Sequence, residues 1–347
     1  METPLLIKTH HLEKAFIESV TYLNSDDAIK SIELDPYWPK WDSPWWHMSL
    51  LYEMGYVSYI PDHIVQLVLD MMNTHYLKFF PIHEHELPVG INPYTRIPCH
   101  CQLGNMYQIL RSKRPDVDDV LPWIKPWFLK YQLPDGGLNC EDDAYRISMK
   151  SSIASSLPVF EALMMCAVQT GLSEEEDFFL DKAAAYVIDH RLVHKLTGEL
   201  MDPDFLKLQF PRYYSYDLLR GLHFIARWRN YRRMGEVNSA NANSTSADNT
   251  DTNSAIDSSS LEAVIAYGIE ILQSKLKDGM LCVERSDLLG VQTRNRDAMD
   301  EWTIRAPASR FQLLDEVGAI GSPSIFLTQQ FEQTRTLLKS GDDNFRK

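Results

Sequence analysis

The sequence predicts an all-α fold, an α/α toroid of about five to six helical hairpins, and three observations carry that expectation. Amphipathic helical segments alternate along the chain with nearly all-apolar ones. The apolar segments recur at a regular spacing, and the connections leading into them share a glycine–leucine turn. Alternation of this kind marks stacked pairs in which one helix faces solvent and the other lies inside.

The amphipathic set comprises residues 10–23 (HHLEKAFIESVTYL), 61–80, 118–132 (DDVLPWIKPWFLKYQ), 174–196 and 261–276, each with one polar side. The apolar set opens with Ser, Pro, Tyr or Ala and comprises 43–55 (SPWWHMSLLYEMG), 98–110 (PCHCQLGNMYQIL), 151–166 (SSIASSLPVFEALMMC), 213–228 (YYSYDLLRGLHFIARW) and 306–321. Its starting points give a period of roughly 50 to 60 residues, broken at the last interval by an insertion. That insertion, 236–260, contains one Val and one Ile but no larger apolar residue, and reads as a disordered linker. A final helix from residue 323 is placed to close the array beside the first. An open superhelix of the same pairs is the structural rival, but it would line a concave surface with these apolar helices, and their character favours a closed barrel.

The chain has 347 residues, 44% hydrophobic and 24% charged, which suits one large domain, 1–347, with a substantial core. A net charge of -14 argues against nucleic-acid binding, which needs cations to displace counterions from phosphates. The arginines of RWRNYRR, including Arg227, Arg229, Arg232 and Arg233, read as cations at the end of a helix rather than as a patch. There is no apolar run of about 18 residues, so no transmembrane segment is expected. The first residues lack the pattern of a signal peptide, and five unevenly spaced cysteines fit free thiols in a reducing compartment, so a cytoplasmic location is expected.

The connections DGGLNCE, GELMDPD and DGMLCVE place Leu138, Leu200 and Leu281 two residues after a glycine. Glycine there supplies a turn and leucine seals the barrel end. In a toroid these loops meet at one end, beside the N-termini of the inner helices, and a pocket mouth is expected there. That end would gather Trp45, Trp46 and His47 with Glu141, Asp142, Asp143, Tyr145 and Arg146. Tyr213, Tyr214 and Asp217 would join them to complete an acidic, aromatic pocket.

The segment KPWFLKYQLPDGGLN resembles a repeat of the terpenoid cyclase and protein prenyltransferase α/α-toroid superfamily. Gln132, Asp135, Gly136 and Gly137 resemble its Gln-x-x-Asp-Gly-Gly element, with Trp127 as the preceding aromatic and Leu138 where squalene cyclases usually have Trp. The resemblance implies the toroid and an isomerase or lyase of the cyclase kind. The Asp-x-Asp-Asp acid motif of squalene cyclases is absent, and CEDD at residues 140–143 only partly imitates it. The zinc-ligand motifs of protein prenyltransferases do not match residue by residue.

The leading expectation is therefore a terpenoid-cyclase-like enzyme acting on a small-molecule substrate by general-acid chemistry. Clustered carboxyls can keep one member protonated, which makes Glu141, Asp142 and Asp143, with His47, the catalytic candidates. Trp45, Trp46, Tyr145, Arg146, Tyr213, Tyr214 and Asp217 are the substrate-binding candidates, the aromatic faces being suited to an apolar or cationic group. The alternatives are a carbohydrate-active α/α-barrel enzyme (hydrolase, lyase or epimerase) and a non-catalytic small-molecule-binding toroid. No cofactor is expected. Cys99, His100, Cys101 and Cys140 are weak zinc candidates, since PCHC lacks the spacing of a zinc finger.

Overall fold

The computed structural model describes residues 3–9, 11–37, 42–74, 100–141, 144–242, 256–286, 293–296, 302–305 and 311–339. Among them are fourteen α-helices: α1 (Leu5–Thr9), α2 (Glu13–Leu23), α3 (Asp26–Leu34), α4 (Trp45–Glu53), α5 (Asp62–Thr74), α6 (His100–Lys113), α7 (Val117–Val120), α8 (Ile124–Lys130), α9 (Ile153–Gln169), α10 (Glu174–Asp189), α11 (Leu218–Ala242), α12 (Ser258–Ser274), α13 (Gln312–Val317) and α14 (Ile325–Lys339). Among the described residues the fold is all-α apart from one short antiparallel hairpin, β1 (Thr293–Arg296) with β2 (Trp302–Arg305), in which Thr293 faces Arg305. No helix among the described residues is long and apolar enough to cross a membrane.

Helix starts follow local chemistry. Ser173 accepts from Glu176 N while the Glu176 carboxylate accepts from Ser173 N, and four acids in the first turn of α10 complement its dipole. Ser25 caps α3, Ser152 caps α9, and Asp257 caps α12 through the N–H groups of Ser259 and Ser260. The segment 118–132, expected as one helix, is instead split into α7 and α8 around Pro122, which lacks the N–H that continuity would need. The short α3 is an element the periodicity did not suggest. The helix α11 continues through Ala242, into the stretch expected as a linker, of which 243–255 lie outside the described residues.

The helices α4, α6, α9 and α11 are side-by-side neighbours, in that order. They run in one direction. Asn105 donates to Ser49 Oγ (3.1 Å) and Tyr52 to Gln108 Oε1 (3.0 Å), so α4 and α6 advance together. Gly104 lies against Pro158, and Ser112 against Met165, which sets α6 parallel to α9. Glu161 meets Arg220, and farther along both helices Val168 shares a cavity wall with Arg227, which sets α9 parallel to α11. The stretch preceding α11 returns to α4, where the Glu53 carboxylate accepts from the backbone N–H groups of Arg212 and Tyr213.

The helix α6 is buried from His100 to Arg111, as befits a helix with neighbours on every side. The amphipathic helices α2, α5, α8, α10 and α12 pack against this group. The buried apolar residues form one continuous cluster.

The Gln-x-x-Asp-Gly-Gly element is a joint between hairpins. Gln132 Nε2 donates to Gly136 O (2.8 Å) and to Phe179 O of α10 (3.0 Å), while Asp135 accepts from Ser151 N (3.0 Å) just before α9. Gly136, at φ +95°, lies so near the Lys182 carbonyl that a Cβ would collide with it. The expected turn glycines Gly198 and Gly279 are left-handed as well. Leu138 and Leu281 are fully buried and Leu200 is half-buried.

Candidate functional site

Four of the expected site residues come together. Trp45 and Trp46, in the first turn of α4, meet edge to face at 4.3 Å between centroids; Trp46 lies 4.8 Å from Tyr213 and 6.3 Å from Tyr214. Trp45, Trp46 and Tyr213 are almost fully buried, so this cluster is packed interior rather than an open wall.

His47 is not part of it. Its Nδ1 lies 2.8 Å from Ser19 Oγ on α2, and its ring stacks at 3.7 Å on Phe311. A step of one residue along a helix turns a side chain by about 100°, which carries His47 away from Trp46. Burial brings its pKa down to about 3.

The expected acidic loop is only partly visible. Glu141 is exposed; Asp142, Asp143 and the side chain of Arg146 lie outside the described residues. Tyr145 Oη accepts from Asn139 N (2.9 Å) and lies 3.2 Å from His100 Nδ1, which is 2.8 Å from Asn139 O. The Sγ atoms of Cys101 and Cys140 are 3.5 Å apart. No group of three His, Cys, Asp or Glu placed to hold a metal occurs among the described residues, and Cys99 lies outside them.

Asp217 is fully buried and its carboxylate is engaged by structure. It accepts from Arg212 Nε (2.6 Å), from Gln209 N (3.2 Å) and from Arg220 N (2.9 Å), the last capping the start of α11.

An open space lies elsewhere. A cavity of about 1310 Å³ is bounded by α1, the end of α9, α11 and α14, and its described lining includes none of the expected site residues. Its apolar wall includes Leu6, Val168, Met234, Met280, Ile325 and Leu337; its polar groups include His223, Arg227, Asn230, Tyr231 and Gln333. His223, Arg227, Asn230 and Met234 recur at three- and four-residue steps, so one face of α11 forms the wall.

A charged layer of the same helices lies near it. Arg220 holds Glu161 through Nε (2.9 Å) and Nη2 (2.6 Å), and donates from Nη1 to Tyr213 O (3.0 Å) and Ser215 O (2.8 Å). Burial raises the pKa of Glu53, against the opposing influence of Arg220 and the N–H bonds it accepts. His223 is held neutral, with its pKa down to about 3, first by burial and then by Arg227 and Arg212. Glu53, Glu161 and His223 nonetheless keep part of their surface accessible, and His223 lines the cavity.

The sequence carried a signal for these groups that composition did not reveal. Glu53, Glu161, Arg220 and His223 are polar residues set in apolar stretches of α4, α9 and the first turns of α11, a pattern that calls for buried partners. Arg227, expected near the end of a helix, is instead in the middle of α11.

Comparison with known proteins gives no relative. No family model, no curated protein and no solved structure matches this chain.

Two histidines with lowered pKa set a pH dependence. An unfolded histidine takes up a proton as pH falls through about 6.5, whereas His47 and His223 resist until about 3. Unfolding therefore binds protons in that window, and stability that is fully present above pH 6.5 is lost progressively on the way to pH 3. The urea midpoint is expected to be lower at pH 5 than at pH 7, and His223→Gln is expected to shrink the difference. An unchanged difference would mean that His223 is not held neutral in the folded protein.

Proposed function

We propose that this chain is an α/α toroid whose role is to hold one small, largely apolar molecule in the cavity beside α11. The cavity carries the reading: about 1310 Å³ of space, apolar over much of its wall, with a few polar groups supplied by α11 and α14. The parallel course of α4, α6, α9 and α11, and the return of the chain to α4 before α11, support the toroid. A cytoplasmic location fits the free thiols of Cys166 and Cys282.

Gly235 gives a direct test, because it lines the cavity and nothing lies within 4 Å of a Cβ built on it. The neutral fluorophore N-phenyl-1-naphthylamine is expected to bind the wild type at one site. Gly235→Trp, which places an indole in the space, is expected to weaken that binding at least about tenfold, the loss of roughly 1.4 kcal/mol. Equal binding by both proteins would place the probe elsewhere and remove the support for this reading.

A second reading, general-acid catalysis of the terpenoid-cyclase kind, is favoured by Glu53. Burial shifts its carboxyl towards the protonated form, and the aromatic residues Trp46 and Tyr213 are close by. On this reading the acid is Glu53 rather than Glu141. The apolar cavity wall suits a hydrocarbon-rich ligand better than a sugar.

A further inference from the structure

We infer that the cavity beside α11 receives a singly charged amphipathic anion, its head group bound by the Arg227 guanidinium and its apolar body filling the space between α1, α9, α11 and α14. This deepens the small-molecule reading above and rests on it.

Arg227 lines the cavity, and among the described residues it makes no hydrogen bond or ion pair. Of the other arginines of α11, Arg220 is engaged by Glu161, Arg229 by Glu262, and Arg232 by Asp177 and Asp181, whereas Arg233, whose Nη1 finds no partner, is not part of the cavity's described lining. The acids nearest the cavity are committed as well. Glu332, on its wall, pairs with Arg335 (2.9 Å); Glu161 is held by Arg220; Glu53 accepts two backbone N–H groups. A guanidinium in a partly apolar space, without a counter-charge, is a ready acceptor for a carboxylate, sulfonate or phosphate ester.

The positive field is registered one turn away. His223 faces the same space, and Arg227 is among the causes that keep it neutral. Its Nδ1 is fixed 2.9 Å from Thr334 Oγ1, which positions the ring at the wall. Asn230 and Gln333 offer neutral hydrogen-bonding groups beside it.

The charge count sets the class of head group. Besides Arg227, the ionisable groups of the described lining include neutral His223 and Glu332, whose charge repels an anion. One cation suits one negative charge; a diphosphate would need more. Leu6, Val168, Met234, Met280, Ile325 and Leu337 supply the surface for an alkyl or aromatic body.

Two probes that differ only by a sulfonate isolate the claim: 8-anilino-1-naphthalenesulfonate, an anion, and neutral N-phenyl-1-naphthylamine. On the folded full chain, the anion is expected to bind about tenfold or more tightly than the neutral probe, the scale of one charge-assisted hydrogen bond. Arg227→Gln is expected to remove that advantage while leaving the neutral probe unaffected, and Arg227→Lys to restore part of it. Dodecanoate and dodecyl phosphate are each expected to displace the anionic probe, and dodecyltrimethylammonium is not.

Equal affinity for the two probes, or an anion affinity unchanged by Arg227→Gln, would overturn the inference while leaving the small-molecule reading intact. Failure of the neutral probe to bind would overturn both. Circular-dichroism melts of the variants identify any loss that comes from unfolding, and in that case Arg227→Lys decides: an anion advantage retained supports the inference, and one lost in a folded protein contradicts it.

Discussion

Replacing Arg220 with Met is expected to destabilise the protein by about 3 to 5 kcal/mol, the cost of leaving one member of a buried ion pair alone. Arg220 binds Glu161 through two nitrogens and also satisfies the carbonyls of Tyr213 and Ser215, so its loss strands three acceptors. Both side chains are mostly buried, with 7% and 12% of their surface exposed, so water cannot readily take the place of the guanidinium. Replacing Glu161 with Met in the same protein is expected to recover much of the loss, because two apolar side chains make no demand for solvation. Urea unfolding of the two single variants and the double variant measures this. An Arg220→Met cost below about 1 kcal/mol, the range of exposed pairs, would mean that the pair is not interior.

The second large effect is expected at Gly104. A Cβ there would sit 2.6 Å from the backbone carbon of Pro158 and 2.6 Å from the nitrogen of Val159, so Gly104→Ala forces α6 and α9 apart. Overpacking of a filled interior costs about 1 to 3 kcal/mol, and backbone cannot yield as a side-chain tip does, which places this variant at the upper end. Gly235, also helical, has nothing within 4 Å of a built Cβ. There the same substitution is expected to be neutral or to stabilise by up to about 1 kcal/mol, the helix propensity of alanine over glycine. Thermal melts of the two variants side by side test the close contact. A Gly104→Ala protein as stable as Gly235→Ala would contradict it.

The helical alternation was legible because burial imposes it directly on residue type. A helix surrounded like α6 accepts few charges, whereas α10 carries its polar residues on one side and its capping acids in the first turn. Pro122 marks the break between α7 and α8, but the apolar period continues across it and masks the signal. The meeting of Trp45 and Trp46 with Tyr213 and Tyr214 was also legible, because all four stand at the starts of inner segments that run in parallel.

The cavity was not legible, for a reason that lies in helix register. Glu161 is the isolated charge of the apolar α9 and Arg220 lies in the apolar first turns of α11, but nothing local states that they meet each other. Arg227 belongs to a run of arginines that looks like a helix end; only the continuation of α11 to Ala242 puts it inside. His47 was grouped with its neighbour Trp46, although adjacent residues on a helix face different partners, here Ser19 and Phe311. The glycine turns drew attention to the loop end of the inner helices. The open space is instead bounded by side chains farther along α9 and α11, such as Val168 and Met234.

The central claim is that the space beside α11 is a ligand site, and diffraction from crystals grown with 12-bromododecanoate tests it most directly. The expected result is one bromine anomalous peak inside the wall formed by Leu6, Val168, Met234, Met280, Ile325 and Leu337, with the carboxylate at Arg227. A bromine peak at the Trp45–Trp46 cluster, or an empty cavity at saturating ligand, would contradict it.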